Sequence, residues 1–514
     1  MKKRQGTSVN FKGKYGVIVV GAGIGGLVSA SLLAKRGLDV LLLEQSDFPG
    51  GCCRSFTKDG HTFDAGASAF FGFGKKSRFN FIQNVFRELE QPVEFNMLNP
   101  GFDIACPDQV FHVSNEQRAF LRQLGGAFPK DSKGLKKLYE ELNELYEILG
   151  DLPRYNAMGR WTVIKICALH PWLAQKVLAA SPRPMYDYIK RHLHDEKCIS
   201  VLESILAATT LLDLKEIPAF LAAYVLIELH NGGVWYPSGG SGTIPKVLLE
   251  SFRKSGGRYE AGIKVTEILV GGGRARGVRL ENGQVIHAER VISDIPKEHT
   301  FGKLIDNIHL SDGLRKQVAY QENADSFFGV FLGVDAAVVP EGTAVHTIVM
   351  PKYTDIWRDA RPVLVSIPSI IDKSLAPEGK HTITLLSPEK TYGWERNQYY
   401  EQKKQEYAKE KIAIAERILP GLSQASNVMQ VASPLTWEST TLRPKGTFGI
   451  KMDIRQGQFN RMGNKTEISN LYCVSDATFP GSGVSSVAYS GTQCANVICR
   501  ECGRRFPSED ELPI

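Results

Sequence analysis

The regular pattern of the chain begins with an unbroken apolar run, YGVIVV at residues 15–20, which reads as a parallel strand buried on both faces. Residues 27–35 follow with helical character, and Ser29, Ala30, Ser31 and Ala34 leave that helix thin enough to lie close on a sheet. Gly37 is placed to stop it. Residues 38–43 form a second, mostly apolar strand ended by Glu44. Together these make a β-α-β unit of about 30 residues. Residues 75–230 are mostly helical in pattern. Leu135, Leu138, Leu142, Leu145 and Leu149 share one side of a helix over 135–149, and 218–227 reads as buried helix. Residues 161–178 mix Trp161, Ile164, Trp172 and Leu178 with Lys165 and Lys176, and Pro171 kinks or splits the stretch. Later elements are shorter. A helix spans 244–254 with Pro245 in its first turn, then strands cover 264–270, 275–280, 284–287 and 290–293. Glycines 271–273 and Asn282-Gly283 are the turns between them. Residues 299–435 alternate strand and helix signals. A strand ending at Asp476 and a helix reaching Glu501 close the pattern.

The chemistry sits where the first strand meets the first helix. Gly21, Gly23 and Gly26, with Ile24 and Gly25 between them, spell G-x-G-x-x-G, and Glu44 stands about 20 residues beyond. Gly21 allows a tight turn, Gly23 lets backbone approach a pyrophosphate, and Gly26 lets helix and strand pack closely. The helix N-terminus faces the phosphates, and Glu44 is able to accept both hydroxyls of an adenosine ribose. A second loop after Glu44 carries Gly50, Gly51 and Arg54, which resembles the FAD-binding pattern of flavin oxidoreductases and amine oxidases. Taken alone, it would be an ordinary glycine turn. Glycines 271–273 precede a strand and not a helix, so they make no second dinucleotide site. Near the C-terminus the carboxylate of Asp476 is placed for a ribityl hydroxyl or the phosphates. Gly483 and Val484 then open a helix whose N-terminus stabilises negative charge.

A length of 514 residues implies two or three domains, or one domain interrupting another. The net charge of +7 is mild, and no basic cluster is interleaved with stacking aromatics, which argues against nucleic acid as a partner. Nine scattered cysteines fit a reducing compartment, and the single C-x-x-C at Cys499 and Cys502 does not make a metal site. Residues 1–14, with Lys2, Lys3, Arg4, Lys12 and Lys14, read as a basic flexible tail without the apolar core of a signal peptide. No apolar run reaches the roughly 18 residues of a membrane-spanning helix. The stretch 161–178 is open between a core helix and a patch lying on a membrane surface.

Longer motifs carry a family resemblance. The stretches G-G-x-x-R-S-F at 50–56, D-G-x-x-F-D-x-G at 59–66, F-G-F-G at 71–74 and H-x-G-G-x-x-Y-P-x-G-G at 230–240 resemble carotenoid cis–trans isomerases of the prolycopene isomerase type. These lie within the larger family of phytoene desaturases and retinol saturases. V-L-V-S-I-P at 363–368 and T-L-R-P-K-G-T-F-G at 441–449 also match, and the likeness spans 15–497.

The resemblance implies an α/β fold, an FAD-binding Rossmann-like domain of the glutathione reductase type with an inserted α+β substrate domain. The FAD domain is expected from 15–75, 232–300 and 436–505, and the substrate domain from 76–231 and 301–435. The backbone at Val265 is expected to reach the adenine, and the helix opened by Gly483 and Val484 to point at the flavin pyrimidine. Ser475 stands where the family usually has glycine.

The implied activity is cis–trans isomerisation of a hydrophobic polyene with reduced FAD, through a transient loss of bond order and no net redox change. A polyene lacks acidic and carbonyl groups, so positioning over the flavin outweighs side-chain catalysis. His230, beside Glu228, Trp235 and Tyr236, is the catalytic candidate, against the plainer reading of a histidine satisfied within a domain junction. No metal is expected. Electrons are expected from a separate donor or acceptor, and the location is cytoplasmic with peripheral membrane contact. The alternatives are a desaturase, a saturase, an amine oxidase, and a non-catalytic prenyl- or lipid-binding relative.

Overall fold

The first apolar run becomes the strand Lys14–Val20, set at the middle of a seven-stranded sheet. This computed structural model describes residues 9–151, 183–353, 361–456 and 461–506. Lys14–Val20 pairs in parallel with Val40–Glu44 on one side and Val285–Ser293 on the other. The strand Leu471–Cys473 joins Val285–Ser293 in parallel, and Val265–Gly271 and Arg274–Leu280 extend the sheet as an antiparallel meander.

Two features of this sheet differ from the sequence pattern. The pieces at 284–287 and 290–293 are one strand, Val285–Ser293. Its polar middle is strict alternation: Ile286 and Ala288 point inward while His287 and Glu289 are exposed. The strand Arg258–Ala261 has no counterpart in the pattern. It is short, polar and half-buried, and is held by pairing with Val40–Glu44.

The helix Ile24–Lys35 is buried from Ile24 through Ala34 and lies against the helices Thr243–Lys254 and Val484–Glu501. The small residues make that possible. A Cβ on Gly491 would stand 2.6 Å from the Gly25 carbonyl. Packing around the first sheet runs past the boundaries expected at 75 and 300. Ile82, Val85 and Phe86 of the helix Phe81–Glu88 join one of its cores, and Phe301, Leu304 and Leu310 join the other.

A second seven-stranded sheet runs in the order Asn427–Ala432, Ser326–Asp335, Lys380–Glu389, Val363–Ser366, His346–Val349, Phe102–Ala105, Val110–Val113. Its long central pair is in register from Ser326 opposite Glu389 to Asp335 opposite Lys380. Residues 75–230 are therefore not wholly helical. They contribute Phe102–Ala105 and Val110–Val113 to this sheet and Phe95–Leu98 to a separate pair with Val234–Pro237, four residues each and too short for periodicity to reveal. The helices there are as expected. Ser132–Asp151 buries Leu135, Leu138, Leu142 and Leu145 against Ala219–Asn231. Among the described residues no helix is long and apolar enough to cross a membrane. The stretch 161–178 and the first eight residues of the basic tail lie outside the described residues.

Candidate functional site

Where the first strand ends, Gly21 turns with φ +100° and donates to the Leu43 carbonyl at 2.8 Å. Each glycine of the loop excludes a Cβ for its own reason. On Gly26 it would lie 2.3 Å from the Gly21 carbonyl, on Gly25 2.1 Å from the Val474 carbonyl, and on Gly23 2.5 Å from Asp294 Oδ2. Glu44 accepts from the Ala22 N–H at 2.8 Å through one oxygen, and from the Ser46 N–H and hydroxyl at 2.8 and 2.9 Å through the other. The Ser46 hydroxyl has one proton and also lies 2.6 Å from the Phe48 carbonyl, so two of the roughly four acceptor positions of Glu44 are taken by backbone N–H groups and up to two remain. The second loop folds onto the first. Gly50 donates to the Ala22 carbonyl at 2.7 Å, and a Cβ on Gly51 would meet Gly23 Cα at 3.6 Å.

These loops form one end of a cavity of about 880 Å³. Gly21, Gly23, Ile24, Gly25, Glu44, Gly50, Gly51, Arg54, Val265, Asp476, Gly483 and Val484 all line it, so nearly every expected cofactor residue is brought to one place. Gly26 lies behind the loop. Two helices present their N-termini here, Ile24–Lys35 and Val484–Glu501, and neither has an acidic residue in its first turn. Gly483, with φ +111°, sets up the second. The hydroxyl of Ser475 accepts from the Ala477 N–H at 3.2 Å, closing its own turn.

Two charged residues without an assigned role in the sequence complete this end. Arg443 Nη1 lies 2.6 Å from Asp476 Oδ2. Burial works against its charge, but Asp476, Cys52 and Asp294 outweigh burial and hold its pKa above the ordinary value. Asp294 follows the strand Val285–Ser293 and lies against the glycine loop. Burial pushes its pKa well up, and Asp476 and Glu44 add to the rise against the Gly26 N–H and Arg443. A cradle of glycines that admit no side chain, two helix N-termini, a carboxylate at the end of the second strand and a half-buried arginine fits the diphosphate and ribose of FAD.

Past the glycine loops the same cavity continues between the two sheets. On one side it is walled by Phe327, Leu364, Leu386, Trp437 and Phe448, on the other by Phe79, Leu149, Leu221, Tyr224 and Val225. The Trp437 Nε1–H is spent on the Phe327 carbonyl at 2.7 Å. Glu228 is a carboxylate in this setting, with Arg78, Thr209 and Thr210 also on the lining. It lines the cavity with Tyr146 donating to its Oε2. Burial raises its pKa to about 7, opposed by hydrogen bonds from Ser77, Tyr146 and the Gly72 N–H.

His230 is not brought to the cavity. It is buried against Phe120 and Tyr139, and its Nδ1 lies 2.7 Å from the Ser114 carbonyl. Burial lowers its pKa to about 4 against the pull of that carbonyl. Two residues along a helix turn the side chain by about 200°, so Glu228 and His230 face opposite ways.

The motifs at 50–66 and 230–241 meet in a structural knot. Asp64 accepts from the Ser55 hydroxyl at 3.0 Å, the Ser241 N–H at 2.8 Å and the Tyr236 hydroxyl at 2.7 Å. It fixes the second loop beside the strand Val234–Pro237.

A model of the flavin containing amine oxidoreductase family matches residues 24–499. The chain is similar to prolycopene isomerase 1, chloroplastic, of an Oncidium hybrid cultivar, with 31% identity over 95% of this chain and 84% of that one. It is 27% identical to the neurosporene-forming phytoene desaturase of Rhodobacter capsulatus, over 96% of this chain and 95% of that one. Its fold resembles wild-type putrescine oxidase bound to putrescine, at 14% identity and a TM-score of 0.66, covering 96% of this chain and 99% of that one.

Proposed function

The chain belongs to the flavin containing amine oxidoreductase family, in its branch of carotenoid desaturases and isomerases, and we propose that it isomerises cis double bonds of a carotenoid-like polyene. It is an FAD-dependent oxidoreductase-family enzyme. The single observation that carries the polyene reading is the cavity, and the isomerase assignment within it follows the likeness to prolycopene isomerases. A cofactor cradle opens directly into a hydrocarbon-walled chamber whose tryptophan N–H is already spent. Such a chamber suits a long apolar substrate, whose surface it keeps from water as lipid does.

Bound FAD supplies the two-electron chemistry. The chain does the rest. The glycine loops and the N-termini of Ile24–Lys35 and Val484–Glu501 hold the diphosphate and the flavin end. Glu44 would take a ribose hydroxyl and Val265 would face the adenine, both lining the cavity, and Arg443 holds Asp476 in place. The walls formed by Phe327, Leu364, Leu386, Trp437 and Phe448 exclude water and lay the polyene along the cavity. No side chain has to move a proton, because isomerisation leaves the substrate's hydrogens unchanged. Reducing equivalents come from a separate donor, and a lipid-borne substrate brings with it a peripheral membrane contact.

Desaturation has one observation in its favour. It needs a proton acceptor beside the polyene, and Glu228, with a pKa of about 7 on the cavity wall, is a group of that kind. The test is an anaerobic incubation of the holoenzyme with a poly-cis carotene in liposomes, reduced or oxidised, with products resolved by chromatography and mass. All-trans product of unchanged mass, formed only under reducing conditions, is expected. Loss of two hydrogens under oxidising conditions would replace this reading with desaturation.

A further inference from the structure

Asp294 is out of keeping with the site around it. It follows the strand Val285–Ser293 and donates its N–H to the Val20 carbonyl at 2.8 Å. Its carboxyl group is pressed against the first glycine loop. Ideal Cβ positions on Gly23 and Gly26 fall 2.5 and 2.9 Å from its Oδ2, and one on Gly25 falls 3.0 Å from its Oδ1. The residue lines the cavity, yet Oδ2 is buried and has no hydrogen-bond partner among the described residues.

The Gly26 N–H, at the N-terminus of Ile24–Lys35, favours a carboxylate here, but burial and two neighbouring carboxylates outweigh it. Glu44, from the neighbouring strand, and Asp476, from the turn after Leu471–Cys473, are both carboxylates. Arg443, after the helix Pro434–Thr441, is the cation on this side, and it is paired with Asp476. On Asp294's own segment Lys297 is 3.0 Å from Glu298 and bonded to the Val318 carbonyl, and burial lowers the pKa of His299. An FAD diphosphate adds about two more negative charges to this place. An ionised Asp294 would then set acceptor against acceptor. A carboxylic acid is a donor as well, and adjacent acidic groups characteristically share a proton for this reason.

We infer that Asp294 is a ligand of the FAD diphosphate and fills that role as a neutral acid, its Oδ2–H donating to a phosphate oxygen, so that cofactor binding takes up one proton from solvent. The one covalent change is a proton transfer: the Asp294 O–H forms as the O–H or N–H bond of a hydronium ion or buffer acid breaks, with no oxidation or reduction. The rise in the Asp294 pKa caused by burial points the same way. The inference rests on FAD as the cofactor and is independent of which reaction the polyene undergoes.

The test is calorimetric titration of FAD into full-length apoprotein, from about pH 6 to about pH 10, in buffers of different ionisation enthalpy. Above the apoprotein pKa of Asp294, wild-type binding takes up close to one proton, and affinity falls up to about tenfold per pH unit. Asp294→Asn keeps a donor and removes the titration. It binds without proton uptake and loses the fall with pH, so that at the alkaline end it binds more tightly than wild type. Asp294→Ala lacks the donor and binds more weakly than the Asn variant throughout. Wild-type binding with no proton uptake anywhere in the range, or an Asn variant with the wild-type pH profile, overturns the inference. If the Asn variant does not fold, the buffer dependence of wild-type binding decides alone. A protein that binds no FAD at any pH would instead remove the cofactor reading itself.

Discussion

The two ends of the cavity are built by opposite means. The cofactor end is made of backbone: glycines whose missing side chains are filled by neighbouring carbonyls, helix N-termini, and a few charged groups tied to fixed partners. The far end is made of side chains, with Phe327, Leu364, Leu386, Trp437 and Phe448 drawn from four separate stretches of chain. Backbone contacts leave no slack, because a carbonyl that is part of a sheet or helix cannot step aside. Apolar walls repack at modest cost. One end should therefore tolerate almost no substitution, while the other should trade side chains and change its products.

The largest effect expected is at Gly25. A Cβ there would stand 2.1 Å from the Val474 carbonyl, so Gly25→Ala costs about 5 kcal/mol and yields protein without flavin absorbance. Next is Arg443→Met, which removes the ion pair of Asp476 and leaves it only the charge of Arg461, at a cost of about 3 kcal/mol read as weaker FAD binding by fluorescence titration. At the far end, Trp437→Ala costs about 3 kcal/mol in denaturant melts yet keeps its flavin spectrum, and shifts the isomer distribution of the product. FAD loss in that variant would break the contrast between the two ends.

Glu228 gives a pH signature. The unfolded chain releases its proton near pH 4.5, whereas the native state holds it to about pH 7. Native protein thus binds more protons across that interval, and stability falls as pH rises through it, by on the order of 3 kcal/mol. Glu228→Gln removes this slope, as urea melts from pH 5 to pH 8 would record. The smallest effect is expected at Gly273. Its φ is +70° but nothing lies within 4 Å of a Cβ, so Gly273→Ala costs about 1 kcal/mol of backbone strain and leaves the flavin in place.

The same contrast sets what the sequence reveals. Gly21, Gly23, Gly26 and Glu44 are legible because their meaning lies in local spacing between one strand and one helix. The same holds for Gly50, Gly51, Asp476 and Gly483. Asp294 and Arg443 are single charged residues after a strand and a helix, and only folding makes them neighbours of the loop. The apolar wall is scattered from Phe79 to Phe448, and although Leu364 and Phe448 lie within the stretches at 363–368 and 441–449, nothing in those stretches marks them as lining a cavity. His230 stands out as the first residue of the H-x-G-G-x-x-Y-P-x-G-G stretch, but helical geometry gives the cavity to Glu228 and the core to His230. The short strands Phe102–Ala105 and Val110–Val113 escape notice because four residues between helices carry no resolvable period.

The most direct measurement of the central claim is a turnover count under anaerobic conditions. Holoenzyme reduced by one equivalent of dithionite is given excess poly-cis carotene, and flavin absorbance is followed while products are counted. Many molecules of all-trans product of unchanged mass per flavin, with the flavin still reduced at the end, is the result this account predicts. At most one product per flavin, its mass changed by two hydrogens as the flavin reoxidises, would contradict it.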